Sequence, residues 1–388
     1  MLAVLSFRRK AMAWTTAILA MFALSACDVS FPGGGGGFSV GKTVPVALLV
    51  PKSSANGATL AQNLENAAWL AVDDLDNVEI DLRVYDTGGT PEGAARAAEQ
   101  ALADGAQIFL GPLFAESANA AGRVAAGRGV NVLTFSNNPA VAGGNVFILG
   151  NTFQTSADRL VNFAATRGRG NIYVVHADDP GERLGAEAIQ RAAVTNGANV
   201  VGVESFALSQ QGVVNAIPGI ASNFRASGAQ TIFVTSGNSG ALPFLAELLP
   251  ENGIDQENAQ FVGLQRLDVP SSALSLKGLQ GAWFATPSPG LVQQFNNRYA
   301  AAYGTQPNTI AGLAYDGIAA IGALVARGTP NALGSEALTQ GAGFAGVNGP
   351  FRFFRNGTNE RGLAVAQIEN NQVIVIDPAP RSFGGVGF

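Results

Sequence analysis

Short apolar runs alternate with helix-like segments along most of this chain, and that alternation restricts its fold more than any other feature. Val44 to Val50 reads as a strand with Pro45 near its start, and Pro51-Lys52-Ser53-Ser54 as the turn behind it. A helix follows from about Thr59 to Leu75, then a strand Ile80 to Asp86, a helix Pro91 to Asp104 with proline at a favoured first position, and a strand Gln107 to Leu110. The stretch QIFLGPLFAES runs from Gln107 to Ser117: its apolar start suits a sheet covered on both faces, Gly111-Pro112 ends the strand, and Ser117 falls where a helix would begin. Helix Ser117 to Ala126 and strand Val130 to Phe135 continue the rhythm. Such alternation implies an α/β fold with a parallel, right-handed, doubly wound sheet.

After Val146 to Leu149 the rhythm restarts. Helices are expected at Thr155 to Thr166, Gly185 to Asn196, Gly212 to Arg225 and Leu242 to Leu249, with strands Asn171 to His176, Val200 to Ser205, Thr231 to Val234 and Gln260 to Leu264. Pro218 should kink or interrupt its helix. A strand Gly281 to Thr286 and helices Leu291 to Tyr303 and Ile310 to Ala326 follow, and Gly349 to Ile376 alternates like antiparallel strands around turns at Asn356-Gly357 and Asn370-Asn371. At 388 residues and 47% hydrophobic, the chain is long enough for about two domains.

The first 26 residues read as a targeting segment. Arg8, Arg9 and Lys10 form a basic region and Ala11 to Ala23 an apolar one, too short for an ordinary transmembrane helix. Leu24-Ser25-Ala26-Cys27 resembles the lipobox of bacterial lipoproteins, so Cys27 is expected to be acylated after cleavage before it. Cys27 is the only cysteine, which leaves none for a disulfide or a cysteine-based metal site. Without Arg8, Arg9 and Lys10 the chain keeps 20 Lys and Arg against 28 Asp and Glu, a net charge of -8 that argues against a nucleic-acid partner. Residues 28–42, DVSFPGGGGGFSVGK, read as a flexible tether. Gly36, Gly41, Lys42 and Thr43 match a phosphate-binding loop, but a strand follows them where such a loop opens a helix.

Loop residues beyond the strand ends are the first candidates for a ligand site, because open α/β sheets bind ligands there. In the first half these are Ser53, Ser54, Glu116, Ser117, Ser136, Asn137 and Asn138, whose alternative role is capping and turn formation. Phe114 and Phe135 would flank an apolar ligand part or pack in the core. His176, the only histidine, stands beside Asp178 and Asp179 and invites a Ser-His-Asp reading with Ser117 or Ser236. No G-x-S-x-G elbow supports it, so no enzyme is expected and His176 reads as a cleft-lining or capping residue. Asp73, Asp74 and Asp76 lack the spacing of a calcium loop, and neither a metal nor a cofactor is expected.

From about residue 44 to the end the chain resembles the type I periplasmic solute-binding proteins, in the branch that includes branched-chain amino-acid binders. The resemblance rests on VALLVPKSS, LAVDDL, LRVYDTGGTPEGAARAAEQAL, QIFLGPL, NVLTFSNNPA, NVFILG, FNNRYAAAYGTQPNTIAGLAYDGIAAI and GPFRFFRNGTNERG in that order. It implies two lobes joined by three crossovers near 150–154, 284–289 and 344–350. Lobe one would comprise residues 44–150 plus 285–345, and lobe two 151–284 plus 346–388. It also implies a cleft that closes on a small polar, amino-acid-like solute for an ABC permease. Ser117, Ser136 and Asn137 match positions that would receive a carboxylate. Opposite them, Ala177-Asp178-Asp179-Pro180 stands where the family commonly has Tyr-Gly, and Asn238 and Asp268 occupy the later loops, Asp268 being the acid available for an ammonium.

Tyr85-Asp86-Thr87 with Gly111-Pro112-Leu113 also resembles the binding-protein-like domain of lipoproteins that activate penicillin-binding proteins, which implies a protein partner instead. Both resemblances imply a periplasmic protein held to a membrane by its lipid alone. Asp28 after the acylated cysteine weakly favours the inner membrane.

Overall fold

The computed structural model describes residues 43–76 and 78–383. The targeting segment, Cys27, Asp28 and the tether through Lys42 lie outside the described residues. Among the described residues no helix is long and apolar enough to cross a membrane.

Five parallel strands make the first sheet: β1 (Val44–Val50), β2 (Ile80–Asp86), β3 (Ile108–Leu110), β4 (Asn131–Thr134) and β5 (Val146–Ile148), in the order β2-β1-β3-β4-β5. The linking helices are α1 (Ala58–Asp73), α2 (Pro91–Ala103) and α3 (Ala115–Ala126). Successive side chains of a strand point to opposite faces, and each face here has its own core. Val46, Leu48, Ile108, Leu110 and Leu133 pack with Leu64 and Ala68 of α1, while Ala47, Leu49, Phe109 and Val132 pack with Ala94 and Ala98 of α2 and Ala118 and Ala121 of α3. Burial on both sides is why these strands read as continuous apolar runs.

The second sheet repeats this winding. Helices α4 (Phe153–Thr166), α5 (Pro180–Asn196), α6 (Gln210–Ser227) and α7 (Leu242–Glu251) alternate with β6 (Asn171–Ala177), β7 (Asn199–Phe206), β8 (Thr231–Val234), β9 (Gln260–Gly263) and β10 (Trp283–Thr286). The hairpin of β13 (Ala364–Glu369) and β14 (Gln372–Asp377) extends the sheet, β13 running antiparallel to β10, to give the order β14-β13-β10-β9-β8-β6-β7. Its turn residues Asn370 and Asn371 have φ of +50° and +61°, which asparagine tolerates better than most residues. The parallel parts of the two sheets share one strand order, with the winding direction switching between β1 and β3 and between β6 and β8.

Pro218 does not interrupt α6. It sits on the exposed side of the helix, where the carbonyl that loses its N–H partner is open to water.

After β10 the chain returns to the first sheet. Helices α8 (Pro289–Tyr303) and α9 (Ala311–Val325) place Phe295, Tyr299, Ala314, Ile318 and Ile321 in the core against β1 and β3, and the short α10 (Ser335–Leu338) adds Leu338. Tyr299 and Tyr303 tie α8 to α1 through the Asn66 side chain and carbonyl, and Tyr315 of α9 donates to Asp74. The third return lies later than the sequence suggests. The hairpin of β11 (Phe351–Phe353) and β12 (Asn359–Arg361) stays on the first lobe, with Phe351 and Phe353 buried and Phe353 5.7 Å from the Phe147 ring. Leu363 is the next core residue and belongs to the second lobe. A crossover near 344–350 would have exposed those two phenylalanines.

The three connections lie together. Ile148 N–H donates to the Gly357 carbonyl at 2.9 Å, Asn359 Nδ2 to the Gly150 carbonyl at 2.9 Å and Arg361 Nε to the Leu149 carbonyl at 2.9 Å. Arg361 Nη1 reaches Asp316 of α9, whose other oxygen accepts from Val347 N–H at 2.7 Å. First and third connections are thus bound to each other and to the core helix of lobe one.

Candidate functional site

A cleft of about 650 Å³ lies between the carboxyl ends of the two sets of strands. Lobe one supplies Leu60 from α1, Leu113 and Phe114 behind β3, and Phe135, Ser136 and Asn137 behind β4. Lobe two supplies Asn238 and Ser239 behind β8, and Leu264, Gln265, Arg266 and Val269 behind β9. Its floor is the connections themselves, with Gly150, Asn151, Thr152, Pro287, Arg361 and Leu363.

Of the residues expected at a site, Phe114, Ser136, Asn137 and Asn238 line this cleft, and Phe135 does so too. Phe114 keeps 37% of its surface exposed although it precedes the first turn of α3, so it offers an apolar face to the opening. Ser136 is nearly buried, and its Oγ accepts from Asn138 N–H at 3.1 Å. Asn238 is fixed by Nδ2, which donates to the Val269 carbonyl at 2.8 Å and faces the Leu267 carbonyl at 3.4 Å.

The other expected residues are not among those lining this cleft. Ser117 lies inside the first turn of α3, because the helix starts at Ala115, and its Oγ is buried without a hydrogen-bond partner among the described residues. Ser53 and Ser54 belong to the turn after β1, where Asp86 Oδ1 accepts the backbone N–H groups of Ser53 at 3.2 Å and Gly88 at 2.9 Å. Although partly desolvated, Asp86 is held below the usual carboxylate range by these bonds. His176 points its Nδ1 at the Ala177 carbonyl, 2.8 Å away, and does not reach the cleft. Asp178 pairs with Arg183 at 3.0 Å on the surface. Asp268 is not among the lining residues, and both its oxygens are held by Arg266 Nε and Nη2 at 2.5 Å.

Glu182 was not among the candidates, yet it organises the lobe-two loops. As the third residue of α5, after the cap Asp179, it reaches back to Ala177 N–H at 2.6 Å and accepts Thr235 Oγ1 at 3.1 Å and Ser236 Oγ at 2.7 Å. The spacing D-x-x-E is the signal that could have found it. Its carboxylate fills the switch point between β6 and β8. Arg361 was also missed, because it owes its place to partners far away in sequence. Among the described residues no group of three or more His, Cys, Asp or Glu is arranged to hold a metal ion.

Two doubly wound lobes, three adjacent connections and a cleft of hydrogen-bonding and apolar groups between them are the architecture of a two-lobe, hinge-closing binding protein. A family profile described as Periplasmic binding protein matches residues 43–372, and the chain belongs to that family. A Rhodospirillum rubrum protein assigned to a branched-chain amino acid ABC transporter superposes with a TM-score of 0.74 at 20% identity, over 86% of this chain and 100% of that one. A branched-chain amino acid ABC transporter periplasmic ligand-binding protein from Burkholderia xenovorans gives 0.67 at 17%, over 88% and 94%. An ABC transporter substrate-binding protein from Desulfitobacterium hafniense in complex with Leu gives 0.63 at 18%, over 86% and 100%. At these identities the likeness is one of fold. An uncharacterised protein of Rickettsia prowazekii is 20% identical over 236 residues, 60% of this chain and 62% of that protein's length.

Proposed function

We propose that this chain is a lipid-anchored binding protein that captures a small solute in the cleft and presents it to the permease of an ABC importer. The observation that carries the reading is that both lobes contribute loops to one cleft whose floor is the three connections. A solute touching both walls has more contacts when the lobes close, so it shifts the population toward the closed form that a permease recognises. The solute-binding relatives support this role, and Cys27 with its acyl groups would hold the body at the periplasmic face of a membrane, the inner one by the Asp28 criterion. The motifs behind the penicillin-binding-protein activator reading have internal work in this fold: Asp86 fixes the turns after β1 and β2, and Gly111-Pro112-Leu113 leads into the cleft wall.

Calorimetry and thermal melting of the purified protein against a library of small acids, amino acids, amines and sugars test the reading. Saturable binding with a rise in melting temperature is expected for at least one class. A library without heat or shift would end it. Cys27→Ala should move the protein from the membrane fraction to the soluble fraction, and unchanged fractionation would remove the anchor.

A further inference from the structure

The cleft is lined by hydroxyl and amide groups, among them the buried Oδ1 of Asn238, unpartnered among the described residues, and it lacks a free acid. Among the described residues its only charged lining side chains are Arg266 and Arg361. The carboxylates at the lobe-two end are engaged elsewhere: Glu182 by three donors, Asp178 by Arg183, and Asp268 by both forks of Arg266. An amino acid entering here would bring an ammonium out of water to meet only neutral acceptors and no carboxylate, so its charge would be buried without a counter-ion.

Arg266 is differently placed. Asp268 takes its Nε and Nη2 side-on, which fixes the guanidinium plane and leaves Nη1, and one N–H of Nη2, without a protein partner among the described residues. The Arg266 side chain stays 36% exposed while that of Asp268 is 13% exposed, so the arginine is presented and the aspartate covered. The remaining end-on edge has two parallel N–H groups, the geometry that receives a carboxylate. Across the cleft Leu60, Leu113, Phe114 and Phe135 form an apolar wall.

We infer that the cleft ligand is a monocarboxylate with an apolar body and no α-ammonium, its carboxylate on the end-on edge of Arg266 and its body against the lobe-one wall. Asp268 is a positioning residue for Arg266. The inference rests on the reading of this cleft as the solute site, and it reverses the orientation expected from Ser117, Ser136 and Asn137.

The test is calorimetry of the purified full-length protein with leucine, 4-methylpentanoate, which lacks the ammonium, and 3-methylbutylamine, which lacks the carboxylate. Straight-chain acids from butanoate to octanoate and phenylacetate extend the series. At least one of the acids should bind ten times more tightly than leucine and the amine, and Arg266→Gln should weaken that acid at least tenfold while the free protein keeps a single cooperative melting transition. Asp268→Asn should weaken it less while keeping the preference for acids over amino acids. Leucine or another amino acid binding more tightly than every acid would overturn the inference and leave the solute-binding role standing. So would an acid whose affinity ignores Arg266→Gln. Silence from the acids and from the wider library would overturn both.

Discussion

Arg361 and Asp316 form a buried ion pair under the floor of the cleft: Nη1 lies 2.9 Å from Oδ2, and the two side chains keep 3% and 0% of their surfaces exposed. The Arg361 guanidinium also covers the Phe351 ring, 4.8 Å from its centroid. It therefore joins the third connection to α9 by charge, to the first by a hydrogen bond, and to the lobe-one core by stacking. Removing one partner leaves the other as a buried charge. Arg361→Met and Asp316→Asn should each lower stability by about 3–5 kcal/mol. The paired variant Arg361→Met with Asp316→Leu should lose less than the sum, as read by urea unfolding.

The carboxylate of Glu182 serves three donors, two of them on the fully buried residues Thr235 and Ser236. Glu182→Ala leaves those groups and Ala177 N–H without an acceptor. A loss of about 1–3 kcal/mol is expected in thermal or urea unfolding, from the cost of unsatisfied buried polar groups. A variant as stable as the parent would mean that the switch point is held by something else.

Gly111 is the hinge of the turn that leads from β3 into the cleft. Its φ is +94°, and a Cβ there would lie 2.2 Å from the Leu49 carbonyl oxygen. Gly111→Ala combines backbone strain with an overpacked contact, and should destabilise by about 2 kcal/mol or more. The thermal midpoint reads it directly.

All five tyrosines, Tyr85, Tyr173, Tyr299, Tyr303 and Tyr315, have phenols pushed above their ordinary value, with burial the largest cause in each. The folded state thus favours the neutral form more than the unfolded state does. Their contribution to stability is complete below pH 10, the ordinary phenol value, and is lost as pH rises through the folded values. Absorbance at ~295 nm should show less phenolate at pH 10 in the native protein than in the unfolded chain, which is about half ionised there.

The elements were legible in the sequence because the central strands are buried on both faces and most helices have one apolar side, so Ile108-Phe109-Leu110 announces itself without its neighbours. The site was legible only in part. Phe114, Ser136, Asn137 and Asn238 reach the cleft because their loops follow strands whose ends must face it. The start of α3 was placed late because the helix begins at Ala115, after Phe114 and without a side-chain cap, two residues before Ser117. Asp268 was misread because periodicity says nothing about a loop, where Arg266 two residues away decides which way the carboxylate turns. Arg361 and Asp316 stand 45 positions apart and meet only once α9 and β12 are folded.

The interleaving of the lobes governs when the protein can fold as it is made. The core behind β1 is closed by Tyr299, Ile318, Phe351 and Phe353, and the second sheet takes β13 and β14 from the last part of the chain. A polypeptide emerging N-terminus first displays Val46, Leu48, Ile108 and Leu110 long before those residues exist to cover them. Neither lobe is closed by its first contiguous segment, both wait for the stretch from Phe351 to Asp377, and until it emerges the nascent chain keeps aggregation-prone surface uncovered.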